Sequence, residues 1–186
     1  MIVEQLSMRI AKKIKELDPD GEESVEVLYY ELGIQLNYGA TLFVTAVLGW
    51  ATGALFYALV SFFAFVLIRK VSGGFHMESL TACALISGLI FSIIPQIDLA
   101  PYMIYILTAV SSIIYIRYAP NYMTESIPTT NPMLCRACAV SLCLANVLVA
   151  SPVIALTFFT QAILILPYWK GVNSHGHEAN VSTETV

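Results

Sequence analysis

A chain of 186 residues that is 58% hydrophobic and 12% charged, with mean hydropathy +0.74, is too apolar for a soluble domain of its size, which carries about 25% charged residues. Its net charge of −4 leaves no basic footprint for nucleic acid. The cysteines Cys83, Cys135, Cys138 and Cys143 sit in or beside apolar segments and do not form a secreted disulfide framework. The bilayer is the natural solvent for such a composition.

Residues 1–18 predict an amphipathic helix. Ile2, Val3, Leu6, Ile10, Ile14 and Leu17 fall near one face, with Arg9, Lys12, Lys13 and Lys15 around it. Such a helix suits an anionic membrane surface or the flank of the rest of the protein. It lacks the continuous apolar core of a cleavable signal peptide. Asp18-Pro19-Asp20-Gly21 is a turn, and a second helical stretch over about 23–37 leads into the membrane.

From Tyr38 to Ile68 there is no charged residue. The stretch is long for one span and short for two, since a span needs about 20 residues. Gly49 and Gly53 offer a turn, so two short spans are expected, about 33–51 and 54–69. Four more follow at about 80–97, 101–118, 134–150 and 152–169. Pro95, Asp98 and Pro101 separate the third from the fourth, and Pro152 marks the last turn. With six spans and a cytoplasmic N-terminus, every basic residue becomes cytoplasmic: the N-terminal group, Arg69, Lys70, Arg117, Arg136 and Lys170. The positive-inside rule favours that arrangement, whereas merging the first two spans violates it. The expected fold is all-α and polytopic. It has an amphipathic region over 1–30, one domain over 1–170, and a flexible cytoplasmic tail over 171–186. Residues 118–133 form a polar, proline-punctuated loop.

The chemically informative stretch is RKVSGGFHMESLTAC, residues 69–83. A cysteine nucleophile needs a nearby imidazole to take its proton and later protonate the leaving amine. On one continuous helix, His76 and Cys83 would share a face but lie about 10 Å apart along the axis, and His76 would lean away towards the N-terminus. Gly73-Gly74 breaks regular structure, and Ser79 is suited to cap the next helix. Cys83 then lies about one turn into that helix, where the positive end of the dipole favours a thiolate, with Arg69 or Lys70 adding to the field. His76 lies in the preceding loop, within reach of the helix end.

Other candidates are weaker. Cys135-Arg-Ala-Cys138 has CxxC spacing but no second ligand pair, and it reads as helix packing. His175 and His177 make an incomplete metal site in the tail. No Walker, GxSxG or HExxH motif occurs, no span carries the Asp, Glu or Lys of an ion pathway, and no cofactor is expected.

The pattern Arg69…Gly73-Gly74-Phe75-His76…Cys83 resembles the accessory gene regulator B (AgrB) family of bacterial membrane peptidases. Chain length, the N-terminal region, Tyr30-Glu31-Leu32-Gly33-Ile34-Gln35, the six-span pattern and Tyr118-Ala119-Pro120 are also similar, over about residues 1–170. The resemblance implies a cell-membrane cysteine endopeptidase with both termini cytoplasmic, which matures a cyclic quorum-sensing peptide from a precursor. Cys83 would be nucleophile and His76 general base and acid, with Arg69, Gly73 and Gly74 supporting them. The implied partners are the precursor, the lipid bilayer and a second copy in a homodimer. The family's linker between spans four and five often carries lysines, whereas Pro128-Thr129-Thr130-Asn131-Pro132 has none. The residues alone also admit a peptide or small-solute transporter, or a non-catalytic scaffold; both would tolerate loss of Cys83.

Overall fold

The computed structural model describes residues 2–74, 79–121 and 131–167. Among them it is all-helical, with seven α-helices and one short 3-10 turn: α1 (Ile2–Leu17), α2 (Val25–Ala51), α3 (Leu55–Ser72), α4 (Leu80–Ile93), the turn Ile94–Gln96, α5 (Pro101–Tyr118), α6 (Pro132–Val149) and α7 (Pro152–Leu164). The chain divides into two compact units, Met1–Phe62 with His76–Asp98 and Phe63–Phe75 with Leu99–Val186. Three helices, α2, α3 and α6, are long and apolar enough to cross a membrane, and α4 and α7 are shorter apolar helices. The six expected spans therefore meet full length and hydropathy in three cases. Tyr102, Tyr105, Thr108, Ser111, Ser112 and Arg117 lower the apolar content of α5. Large side chains such as Phe43 (70% exposed), Trp50 (76%) and Leu148 (90%) point outward. An apolar exterior of that kind fits a membrane protein.

In the first unit, α2 packs along α4. The buried positions of α2 are Gly33, Asn37, Thr41, Thr45 and Gly49, one every four residues and so on one face. Small residues let membrane helices approach closely. A Cβ added at Gly88 of α4 would lie 2.8 Å from Val44 Cβ, and one at Gly33 would lie 2.9 Å from Leu80 Cδ1. The threonine hydroxyls are satisfied within α2, Thr41 donating to Asn37 O and Thr45 to Thr41 O, each at 2.8 Å. The stretch 23–37 and the first span, read separately in the sequence, form one helix, because 25–51 contains no proline and its glycines sit at packed or open helical positions. At about 1.5 Å per residue that helix is roughly 40 Å long, more than the about 30 Å of a bilayer core. The expected hairpin is present: Gly53 has φ +72°, and the Ala54 amide donates to Gly49 O at 2.9 Å.

Helix α1 docks on α2 and α4 through Val3, Ser7 and Ala11. Ile2 (77% exposed) and Leu17 (76%) remain outside with Leu6 and Ile14, beside the exposed Arg9, Lys12 and Lys13. The expectation that the helix packs on the rest of the protein is met on one face, and the neighbouring arc keeps an apolar and basic character.

The second unit gathers residues 63–72 of α3 with α5, α6 and α7 around Ile68, Tyr115, Ala119, Ala139, Cys143, Phe158, Ala162 and Ile165. The fully buried Tyr115 hydroxyl donates to Phe158 O at 2.7 Å. Helix ends follow local signals: Pro101, Pro132 and Pro152 each open a helix where no amide hydrogen is needed. Ala150 adopts the left-handed conformation between α6 and α7 (φ 51°). Asn146 clamps that turn, exchanging two hydrogen bonds of 3.2 Å with the Ser151 backbone.

Candidate functional site

The chain between α3 and α4 is not one helix. α3 stops at Ser72, and Gly73 and Gly74 follow with φ +67° and +140°. Ser79 then caps α4 in extended backbone, its hydroxyl accepting from the Ala82 amide at 3.2 Å. Cys83 lies in the first turn of α4, and its amide donates to Ser79 O at 2.9 Å. His76 lies outside the described residues, as do the tail histidines and most of the linker after α5, including Pro128–Thr130. Cys83 and Ser79 belong to the first unit, and Arg69, Gly73 and Gly74 to the second.

Around Cys83 the environment is polar yet enclosed. The thiol is half-buried. Asn37 Nδ2 approaches Sγ at 4.0 Å, and Ser87 Oγ lies 4.0 Å away on the next turn of α4. Asn37 is 5% exposed, and its Oδ1 is buried with no hydrogen-bond partner among the described residues.

The start of α4 holds a second feature. Glu4 of α1 accepts from the Ser79 hydroxyl (2.9 Å), the Thr81 amide (3.2 Å) and the Thr81 hydroxyl (2.6 Å). Thr81 Oγ1 in turn accepts from the Val3 amide at 3.1 Å. A carboxylate at a helix N-terminus is favoured by the dipole and the unpaired amides there. Burial pushes the Glu4 carboxyl up, but the bonds from Thr81, its own backbone and Ser79 outweigh it and hold it at about 2. The acidic group thus compensates the positive helix end that the sequence alone offers to Cys83.

In the second unit the Gly73-Gly74 segment is strapped in place. Gly74 donates to Asn121 O (3.1 Å), and the Asn121 amide donates to Ser72 O (2.9 Å). Gln161 of α7 donates from Nε2 to Ser72 Oγ (2.9 Å) and to Gly73 O (2.6 Å). Asn121 Nδ2 reaches Ile165 O at 2.7 Å. A Cβ at Gly73 would collide with the Asn121 carbonyl, whose carbon would be 3.0 Å away. Positive φ and close backbone approach together require glycine there. Arg69 is 8% exposed, and its guanidinium lies over the Phe65 ring, 5.5 Å from the centroid.

Asn37, Glu4, Asn121 and Gln161 escaped the sequence reading. A search for intramembrane charge passes over uncharged amides. The signal for Asn37 was its place four residues before Thr41 and eight before Thr45 in an otherwise apolar run. Cys135 and Cys143 are buried in α6 and Cys138 is half-buried, all as thiols, and no cluster of three or more His, Cys, Asp or Glu that could hold a metal occurs among the described residues.

An AgrB-like protein of Halalkalibacterium halodurans is 30% identical over 130 residues, covering 69% of this chain and 66% of that relative. The match thus spans just under two thirds of the relative's length. No solved structure matches the chain. The sequence pattern described as accessory gene regulator B matches residues 4–172, and the chain belongs to that family.

Proposed function

We propose that the protein is a multi-pass cysteine endopeptidase of the bacterial cell membrane, with six spans and both termini cytoplasmic. It cuts the C-terminal tail from a small precursor peptide and leaves the remainder as a thioester on Cys83. A cysteine or serine of the precursor then attacks the thioester and closes a thiolactone or lactone ring. The observation that carries this reading is the half-buried Cys83 thiol in the first turn of α4, after a glycine break in the chain that carries His76 in sequence.

In the reaction, His76 takes the Cys83 proton and the thiolate adds to the scissile carbonyl. The C–N bond breaks, and the same proton passes to the leaving amine. Arg69, Gly73 and Gly74 act as supporting residues, through charge and backbone shape. The reading requires that water be kept from the thioester, which would otherwise hydrolyse. Exchange of one thioester for another nearly conserves bond energy, whereas forming a thioester from an amide is uphill, so removal of products draws the sequence forward. The apolar and basic arc of α1 suits the membrane surface on which an amphipathic precursor would lie.

The test uses the full chain in lipid vesicles and a synthetic precursor with an amphipathic leader, an internal cysteine and an acidic tail. Native protein is expected to release the tail, and mass spectrometry to find the remaining peptide linked to Cys83. Cleavage that persists in Cys83→Ala or His76→Ala would sink the proposal.

A further inference from the structure

We infer that Asn37 is a catalytic residue of the Cys83 site: its side-chain amide binds the scissile residue of the substrate peptide, Nδ2 donating to the carbonyl oxygen under attack and Oδ1 accepting that residue's N–H. The inference rests on the peptidase reading above and assigns the groups that hold the reacting peptide bond.

Three observations converge on this amide. Its Nδ2 lies 4.0 Å from Cys83 Sγ. A donor that stabilises a tetrahedral adduct must come within about 2.7–3.1 Å of the oxygen that becomes negative, not of the nucleophile. That oxygen is offset from sulfur by one carbon, so a nitrogen 4.0 Å from Sγ leaves room for it at the required spacing. Second, Asn37 is 5% exposed on α2, a helix fixed against α4 by the seam of small residues, so the donor is preorganised in a medium of low dielectric. Hydrogen bonds to a developing charge are stronger there than in water. Third, its Oδ1 is buried without a partner among the described residues. An orphaned buried acceptor costs about 1–3 kcal/mol and calls for an explanation. In an extended peptide, the C=O and N–H of one residue point to the same side, as in a hydrogen-bonded pair of an antiparallel ladder. A primary amide matches both ends at once.

The step balances. The Cys83 thiolate forms the Sγ–C bond, and the C=O π pair moves to oxygen, where Nδ2–H of Asn37 donates to it. The pair returns as the C–N bond breaks, and the amine leaves with the proton that Cys83 gave up. Asn37 exchanges no proton and is unchanged at the end.

The experiment compares two reactions of Cys83 in the full chain in lipid vesicles, each corrected by Cys83→Ala. N-acetylglycine p-nitrophenyl ester acylates the thiol through a tetrahedral oxyanion and offers both a C=O and an N–H. Iodoacetamide alkylates it by displacement, with no oxyanion. In Asn37→Ala the ratio of acylation to alkylation rate is expected to fall at least about ten-fold and up to about 100-fold. Alkylation itself should stay within about two-fold of native. Should the alanine variant not fold, Asn37→Leu, close in volume and unable to hydrogen-bond, carries the same expectation. A purely structural role moves both reactions together, so a smaller fall in the ratio overturns the assignment of Asn37 and leaves the peptidase reading standing. Native protein that acylates no faster than Cys83→Ala overturns both.

Discussion

Replacing Gly73 by alanine tests whether the glycine break is a built feature. At φ +67° an L-residue costs roughly 1–2 kcal/mol. The new Cβ would also lie 3.0 Å from the Asn121 carbonyl carbon. That neighbour is backbone and cannot rotate away, so the strap must open. The Gly74 bond to Asn121 O and the Asn121 bond to Ser72 O contribute about 0.5–1.5 kcal/mol each. The total is about 3 kcal/mol, or roughly 100-fold in a local opening equilibrium. Hydrogen exchange read by mass spectrometry should show the Gly74 and Asn121 amides exchanging about 100-fold faster in Gly73→Ala. Precursor cleavage should fall as well. Gly53→Ala is the control: φ there is +72°, but a Cβ meets nothing within 4 Å, so only the conformational cost applies and the strap exchanges as in native protein. Exchange at Gly74 and Asn121 within about three-fold of native in Gly73→Ala would refute the reasoning.

Two further predictions concern polar anchors. The Glu4 carboxyl is depressed from 4.5 to about 2, so its contribution to α1 docking is complete above about pH 4.5 and fades as pH falls towards 2. Exchange of α1 amides, corrected for intrinsic rates, should rise between about pH 5 and 3 in native protein and not in Glu4→Gln, which starts about 1 kcal/mol weaker after allowance for solvent screening. Equal pH profiles would exclude Glu4 as the anchor. Gln161 is fully buried, and its Oε1 lacks a partner among the described residues. Gln161→Leu removes that orphan and keeps the volume, so it should cost about 1 kcal/mol against about 3 for Gln161→Ala. Thermal unfolding in detergent measures both, and equal losses would contradict the accounting.

Helix limits were legible wherever a residue with a hard stereochemical constraint stood at the boundary. Pro101, Pro132 and Pro152 each open a helix, Gly53 turns the first hairpin, and Ser79 caps α4. Charge placement separated α2 from α3 where length alone was ambiguous. The α1 face that docks was only partly legible: Val3 lies on the apolar face, but docking also uses Ser7 and Ala11, which an amphipathicity argument ranks below Ile2, Leu6 and Leu17. The sequence places Cys83 near a helix start from Ser79 alone, but nothing local reports that Glu4 occupies that end or that Asn37 faces the thiol. Those contacts join residues 75 and 46 positions apart, and pattern reading sees only neighbours.

The contact between Glu4 and α4 also constrains the order of assembly. Glu4 is synthesised 75 residues before Ser79, an interval of roughly 4–15 s at about 5–20 residues per second. During that time α1 can pack on α2, which is made first, but has no partner on α4, so Glu4 and the Val3 amide lack their Thr81 bonds. The α1–α2 pair is therefore a preformed berth, and α4 completes it by bringing Ser79 and Thr81 to Glu4.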